Sequence, residues 1–215
     1  MSEELTAKVL KILRAMHPNF QKWYYTRELA SLAQVSTWVV SREFSMLAKK
    51  GLVRQKREGQ QKYYALNIAN PKTRALCQLF ESERRETLYK SNRRLSWALE
   101  ELSKRTFDGL PQVQSLILFG SAARGEMTRA SDVDLLVLVP NVEQEPFNEL
   151  MKSVDKLAAD TRGKYGFQLS AIPMTIRDFE LGFRERKRVT EDILREGIVL
   201  FGEDRYYALL GRLIT

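Results

Sequence analysis

Two aspartates and a glycine–serine pair are the residues of this chain whose types and spacing could do chemistry. Gly120 and Ser121 follow the apolar run at 116–119. Ten residues later, Asp132 and Asp134 open a second apolar run. Because side chains alternate along a strand, the two carboxylates share one face and converge. Two such acids repel each other without a cation, so the spacing predicts a divalent metal with oxygen ligands, Mg²⁺ or Mn²⁺.

The glycine–serine pair has the chemistry of a phosphate-binding turn. Gly120 lacks a side chain where the backbone must approach a ligand closely. The hydroxyl of Ser121 lies where backbone N–H groups can bind anionic oxygens. Arg124 could add a positive charge at this place, although it could equally be a solvated surface residue. These residues predict a site for a phosphorylated ligand beside the metal.

The whole pattern resembles the minimal nucleotidyltransferases of the DNA polymerase β superfamily. The resemblance covers residues 95–204 and includes Ala123-Arg124-Gly125-Glu126 and Ser131 between the two motifs. It implies nucleotidyl transfer from ATP or another NTP to an unidentified hydroxyl acceptor on RNA, protein or a small molecule. The residues that it implies are Asp132 and Asp134 for catalysis and metal binding, and Gly120, Ser121 and Arg124 for the nucleotide.

One departure from the superfamily concerns a third carboxylate. The wider superfamily places this acid on a later strand, where it deprotonates the acceptor or binds a second metal. Here the positions facing the aspartates are Gln168 and Ser170, or else Leu169, and none is acidic. Glu143 or Glu145 could substitute from a loop, but no sequence feature supports either. The departure leaves the general base open and favours a second hypothesis, a regulator whose transferase half only senses nucleotide.

The N-terminal third holds most of the positive charge. Residues 1–70 contain 12 Lys and Arg against 5 Asp and Glu, a net charge of +7 in a chain of net charge +8. Such an asymmetry indicates a polyanionic partner, whereas solubility alone would not require it.

Three helices and a basic hairpin are predicted in this third. Periodicity indicates a first helix that ends at Pro18, a second with Thr26 as its N-cap, and a third from Ser36 to about Lys50. Strand patterns on both sides of a turn at 58–60 predict the hairpin. The arrangement resembles the winged helix-turn-helix of bacterial and archaeal transcription regulators.

That resemblance implies that the third helix enters the major groove of duplex DNA and that the hairpin contacts the backbone or minor groove. The residues that it implies for DNA are Thr37, Trp38, Ser41 and Arg42 on the helix, and Lys56, Arg57, Gln60, Gln61 and Lys62 on the hairpin. A winged helix used for protein contacts is the alternative, and Trp38 could equally be a dimer or interdomain contact.

The expected fold class is multidomain: an α+β nucleotidyltransferase fold over 107–215, preceded by a winged helix-turn-helix domain over 1–70 and a helical connector over 71–106. The sequence of the connector predicts one long helix or two helices in series, since residues 72–106 lack proline and glycine. Its Leu76, Phe80 and Leu88 could form a homodimer seam. The elements predicted after the connector are strands at 114–119, 132–139, 166–172 and 197–202, and helices at 122–127, 146–162, 176–185 and 188–196.

Composition restricts the remaining classes of function. One cysteine, Cys77, excludes an internal disulfide, and with a single histidine, His17, it argues against structural zinc. No apolar run approaches the roughly 20 residues that a membrane helix needs, and the sequence predicts a cytoplasmic protein.

The nucleotidyltransferase resemblance adds a third hypothesis, because such domains often act as antitoxins towards a small helical toxin.

Overall fold

The computed structural model describes residues 5–128 and 131–214, which are divided between two compact units. The first unit comprises Met1–Phe80 with Tyr207–Thr215, and the second comprises Glu81–Tyr206. Residues 1–4, 129–130 and 215, which the predicted domains include, lie outside the described residues.

The first unit is helical with a small antiparallel sheet of order β1-β3-β2. Its elements are α1 (Ala7–Met16), a 3-10 helix (His17–Asn19), β1 (Tyr24–Tyr25), α2 (Thr26–Ala33), α3 (Thr37–Lys49), β2 (Val53–Glu58) and β3 (Gln61–Leu66), followed by the start of α4 (Pro71–Ser91) and the end of α10 (Glu203–Leu213). The three predicted helices and the hairpin are therefore confirmed.

Capping explains where α2 and α3 begin. The hydroxyl of Ser36 accepts a hydrogen bond from the N–H of Val39 at 3.3 Å, as the sequence predicts for an N-cap. The prediction of Thr26 as N-cap of the second helix is wrong, because Tyr25 occupies that position and Thr26 is the first helical residue. The hydroxyl of Thr26 instead donates to the carbonyl oxygen of Lys62 at 3.1 Å, which ties α2 to the hairpin.

The second unit contains a four-stranded sheet of order β6-β5-β4-β7, in which only the β5–β6 pair is parallel among the described residues. Its further elements are α5 (Arg93–Gly109), β4 (Ser115–Phe119), α6 (Gly120–Ala123), β5 (Val133–Val139), α7 (Gln144–Tyr165), β6 (Leu169–Thr175), α8 (Ile176–Arg184), α9 (Arg188–Glu196) and β7 (Ile198–Phe201). The connector is therefore two helices in series, and Asn92 separates them by capping α5.

Two glycines account for differences from the predicted boundaries. The helix predicted at 122–127 spans only Gly120–Ala123, and Gly125 with φ of +72° follows it. The strand predicted at 166–172 is Leu169–Thr175, because α7 continues to Tyr165 and ends at Gly166 with φ of +72°. Both glycines adopt the left-handed backbone that L-residues rarely enter.

The two faces of the second sheet have different roles. Leu116, Leu118, Leu135 and Val137 lie in one buried cluster, together with residues of α5 and α7. Because side chains alternate along each strand, the paired residues Phe119 and Asp134 belong to the opposite face. Helices α8 and α9 contact this sheet at β5, β6 and β4. Both faces of the sheet are therefore buried along most of their length, since Ile117 and Leu136 on the second face are fully buried, and Asp134 belongs to this second face.

Side chains of α4 do not all lie on its surface. Phe80 is buried in the first unit, and Leu88 belongs to the buried cluster of the second, so neither is placed to form an exposed seam. None of the helices within the described ranges is long and apolar enough to cross a membrane.

Candidate functional site

The candidate site begins where β4 ends at Gly120. Phe119, the last residue of β4, pairs with Asp134 on β5, so the chain turns directly beside that aspartate. Gly120 has φ of +70°, and any Cβ atom at this position would overlap the carboxylate of Asp134. Glycine is therefore required here both by the backbone conformation and by the close approach.

The negative charge of Asp132 acts on the carboxylate of Asp134. Asp132 is exposed just before β5, whereas Asp134 is partly buried within it. Burial raises the pKa of Asp134, and the negative charges of Asp132 and Glu196 raise it further, while Arg124 acts in the opposite direction. Bringing negative charge together at this edge costs free energy, which a bound cation would reduce.

The aspartate pair fits a hard divalent cation in its donor chemistry. Within residues 5–128 and 131–214, no group of three or more acidic, histidine or cysteine side chains is placed to hold a metal ion. Mg²⁺, however, is commonly bound through one or two carboxylates, with water and substrate phosphates as the other ligands. Asp132 and Asp134 are therefore the residues that would hold the ion.

The strand next to the aspartates supplies no third acid. In the parallel pairing of β5 with β6, Asp134 is opposite Ser170, so Ser170 lies on the same face of the sheet. Leu169, the other position considered from the sequence, is paired with Val133 and lies in the apolar cluster. Glu143 and Glu145 are exposed at the start of α7, a helix that packs on the opposite face.

A carboxylate that sequence reasoning missed comes from α9. Glu196, the last residue of α9, accepts hydrogen bonds on one oxygen from the N–H of Gly120 at 3.1 Å and from Arg124 at 2.7 Å. No local spacing links Glu196 to the two motifs, since its position depends on the packing of α9 against β4 and α6. The sequence gives only a weak signal for Glu196, namely an acid at the end of a helix with a strong apolar stripe.

Arg124 is positioned by two acidic side chains. Its Nε donates to Glu126 at 2.6 Å and its Nη1 donates to Glu196 at 2.7 Å. Hydrogen bonds to Glu126 and to Glu196 raise the pKa of Arg124, so it remains a cation at all accessible pH values. The structure thus brings Gly120, Arg124 and Asp134 together, with Ser121 as the next residue in the turn.

A second candidate site lies in the first unit. An open groove of about 270 Å³ runs between α3, the start of α2 and the hairpin. We call it the α3–hairpin groove, and its lining residues are Tyr25, Thr26, Arg27, Thr37, Ser41, Gln60, Gln61 and Lys62. Five of the residues predicted to contact DNA, from both the helix and the hairpin, therefore meet at one surface.

The other residues predicted for DNA lie outside that lining. Arg42 stacks on the ring of Trp38 with 4.5 Å to the centroid and pairs with the buried Glu43. Trp38 is 63% exposed. On β2, Lys56 pairs with Glu58 and lies 5.1 Å from the centroid of the Trp23 ring.

Arg57 lies on the other face of the hairpin from Lys56, because neighbouring residues of a strand alternate between faces. It is the cross-strand partner of Lys62. Arg57 and Lys62 therefore share the face that leads to the groove.

Comparison with known families identifies the part of the chain that contains the first site. The family model described as nucleotidyltransferase domain matches residues 95–200. This range includes the glycine–serine turn, both aspartates and Glu196, and it confirms the nucleotidyltransferase domain that the sequence motifs predict. No curated protein matches the chain.

Proposed function

We propose that the nucleotidyltransferase domain at residues 95–200 transfers a nucleotidyl group from ATP or another NTP to a hydroxyl acceptor. The observation that supports this most directly is the contact between Gly120 and the carboxylate of Asp134, beside Ser121 and Asp132. It places an anion-binding turn next to two metal-binding oxygens. Asp132 and Asp134 would hold Mg²⁺ or Mn²⁺, which would neutralise charge on the triphosphate and favour in-line displacement.

The residues of the chain have separate tasks in this proposal. Ser121 and the backbone N–H groups that follow Gly120 in the turn bind the β- and γ-phosphates, and Gly120 lets the turn lie directly against the carboxylate of Asp134. Arg124 contributes a cation on the same side. The acceptor oxygen forms a bond to the α-phosphorus, and the bond from the α-phosphorus to the pyrophosphate oxygen breaks. The acceptor hydroxyl loses its proton to water or to another group of the complex that carries the acceptor.

Binding and turnover are tested separately. Calorimetry with ATP, with and without Mg²⁺, should show Mg²⁺-dependent binding that the Asp132→Asn/Asp134→Asn variant loses. Equal binding by the wild type and this variant would contradict the metal site. Labelled ATP with candidate acceptors then tests transfer, with the same variant as control.

A regulator that binds nucleotide with little or no turnover is the second candidate. Residues 169–175, which form β6, contain no acid, and this observation favours it. Nucleotide binding without transfer to any acceptor would select this candidate, and the antitoxin hypothesis belongs with it. Copurification of a small helical protein with the chain would support the antitoxin role.

We also propose that the first unit binds duplex DNA through the α3–hairpin groove. The support is the meeting of Thr37 and Ser41 from α3 with Lys62 from the hairpin, in the part of the chain with a net charge of +7 over residues 1–70. Phosphate contacts release counterions, so the affinity of the full chain for a duplex should fall steeply as salt rises. Fluorescence anisotropy over a salt series tests this, and an absence of binding at low salt would favour the protein-contact alternative.

A further inference from the structure

We propose that Glu196 is a positioning residue for nucleotide binding, which holds Arg124 and the N–H of Gly120 in fixed places beside the aspartate pair. The inference rests on the proposed nucleotidyl transfer and adds a residue from outside both sequence motifs.

The contacts of Glu196 join the two parts of the phosphate-binding turn. One oxygen of its carboxylate bonds both to the backbone N–H that opens α6, at 3.1 Å, and to Arg124, at 2.7 Å. The side chain of Glu196 is only 10% exposed, whereas that of Arg124 is 40% exposed. A largely buried carboxylate that accepts from a backbone donor and a guanidinium at once fixes their separation.

The end of α9 is itself held in place by α4. Arg84 donates to the carbonyl oxygens of Gly197, at 3.0 Å, and Glu196, at 3.3 Å. Glu81, which is buried, pairs with Arg84 at 3.3 Å and accepts from the N–H of Val199 at 2.8 Å. The backbone that carries Glu196 is thus anchored on both sides of the junction between α9 and β7.

With Glu196 anchored, Arg124 is held in one orientation and can bind a ligand through donors other than those it gives to Glu126 and Glu196. A guanidinium has five N–H groups, and among the described residues Glu126 and Glu196 each accept a hydrogen bond from one of them. The partly exposed remainder of the fork is suited to phosphate oxygens, which arginine binds with defined geometry. Without Glu196, Arg124 would sample other rotamers and lose much of that preorganisation.

The test compares Glu196→Ala with Glu196→Gln. Alanine should weaken Mg²⁺-dependent ATP binding on the order of tenfold, in the range found for supporting residues around metal sites. Glutamine keeps an oxygen that can accept both hydrogen bonds and should restore most of the affinity. Glu191→Ala is the matched control, because it removes the same charge from an exposed position of the same helix and should bind ATP like the wild type.

A double-mutant cycle with Arg124→Ala separates positioning from a general loss of structure. In the Arg124→Ala background, Glu196→Ala should weaken ATP binding by clearly less than tenfold, because only the contact with the N–H of Gly120 is then left to lose. An equal tenfold loss in both backgrounds, or tighter binding in Glu196→Ala alone, would overturn the positioning role.

Amide hydrogen exchange at Gly120, measured without nucleotide, provides an independent readout. Exchange should be faster in Glu196→Ala than in the wild type, because the acceptor of that N–H is lost. Unchanged exchange would refute the positioning role even if the wild type binds ATP. Failure of the wild type to bind ATP with Mg²⁺ would instead refute the proposed function together with the inference that rests on it.

Discussion

At Gly120 the backbone turns with φ of +70°, and the space where a side chain would stand is filled by the carboxylate of Asp134. Two independent demands therefore fall on this one residue. The left-handed conformation disfavours any L-residue, and the contact excludes any Cβ atom. The effects of conformation and contact can be separated, because Gly125 has φ of +72° but no atom of the described residues lies within 4 Å of where its Cβ would stand.

Gly120→Ala should lower the free energy of unfolding by about 2–4 kcal/mol, whereas Gly125→Ala should cost about 1–2 kcal/mol from backbone strain alone. Urea denaturation of both variants measures the difference. Adding Asp134→Ala should recover part of the loss at Gly120 and none at Gly125. Equal costs at the two glycines would contradict the contact with Asp134.

Asp134→Asn should stabilise the fold at neutral pH while it abolishes Mg²⁺-dependent nucleotide binding. The folded-state pKa of Asp134 is raised by burial and by neighbouring acids, so its ionised form opposes folding. The free energy of unfolding should rise by a few tenths to about 1 kcal/mol, since solvent screens a partly exposed group.

The gain should shrink as the pH falls through the raised pKa, because the protonated aspartic acid is neutral like asparagine. Thermal melts between pH 4 and 8 measure it. Asp132→Asn, at an exposed position, is the comparison and should change the melting temperature less. A lower melting temperature for Asp134→Asn at pH 7 would contradict the electrostatic argument.

At the scale of residues, the sequence predicts what local geometry determines. Alternation along an extended segment predicts that Asp132 and Asp134 converge, whereas the close approach of the Asp134 carboxylate to Gly120 depends on the pairing of β4 with β5 and could not be predicted. Glu196 could not be predicted in this way, because its place depends on how α9 packs against β4 and α6.

Strand register is the property of the elements that decides whether a third acid can reach the aspartates. The pairing of Asp134 with Ser170 places Ser170 on the aspartate face and Leu169 in the apolar cluster. From the sequence alone, either Ser170 or Leu169 could face the aspartates, because a shift of the strand pairing by one residue exchanges the two faces. The segment is short, and nothing in its sequence determines the pairing register. The end of α7 at Gly166 is what moves β6 to Leu169–Thr175.

Ser170→Asp should raise any nucleotidyl transfer activity while changing ATP affinity little. A carboxylate at this position could act as the general base, a role that typically contributes about 10²–10⁴-fold in rate. Gln168→Asp, at an exposed position just before β6, is the second variant to compare. Steady-state transfer rates of the three proteins test whether position 170 can supply the general base. A wild type faster than both variants would mean that another residue supplies it.

The α3–hairpin groove predicts which basic residues matter for DNA. Lys62→Ala should weaken duplex binding and reduce the slope of log affinity against log salt by about one unit, as expected for one lost phosphate contact. Lys49→Ala is the matched control, because Lys49 lies at the opposite end of α3, roughly 18 Å from Thr37 for a helix rising about 1.5 Å per residue. Equal effects of both substitutions would indicate nonspecific attraction by the net charge.

At the scale of the whole molecule, the first unit is assembled from two segments that are distant in the chain. His17 and Tyr207 are hydrogen-bonded at 2.6 Å, and Arg54 donates to the carbonyl oxygen of Ile214 at 3.1 Å. Gly211 packs closely against the carbonyl oxygen of Ile68. No local pattern in the sequence signals these contacts, although the periodicity of each helix could be predicted.

Tyr207→Phe should lower the free energy of unfolding by about 1–2 kcal/mol, because it removes the hydroxyl that bonds to the buried His17. Chemical denaturation of the full chain measures this. Tyr63→Phe, whose hydroxyl bonds to Gln61 at an exposed position, is the control and should change stability by less than about 0.5 kcal/mol. Equal effects would contradict a structural role for the buried pair.

The division of the first unit between two segments also sets an order for its completion during translation. The ribosome must make residues 81–206 before the segment from Tyr207 that joins Met1–Phe80. At about 5–20 residues per second, this delay is roughly 6–25 s. Throughout that interval, the basic segment before residue 81 is present without the partners of His17, Arg54 and Ile68, so of the two units the one that contains the earlier residues is completed later.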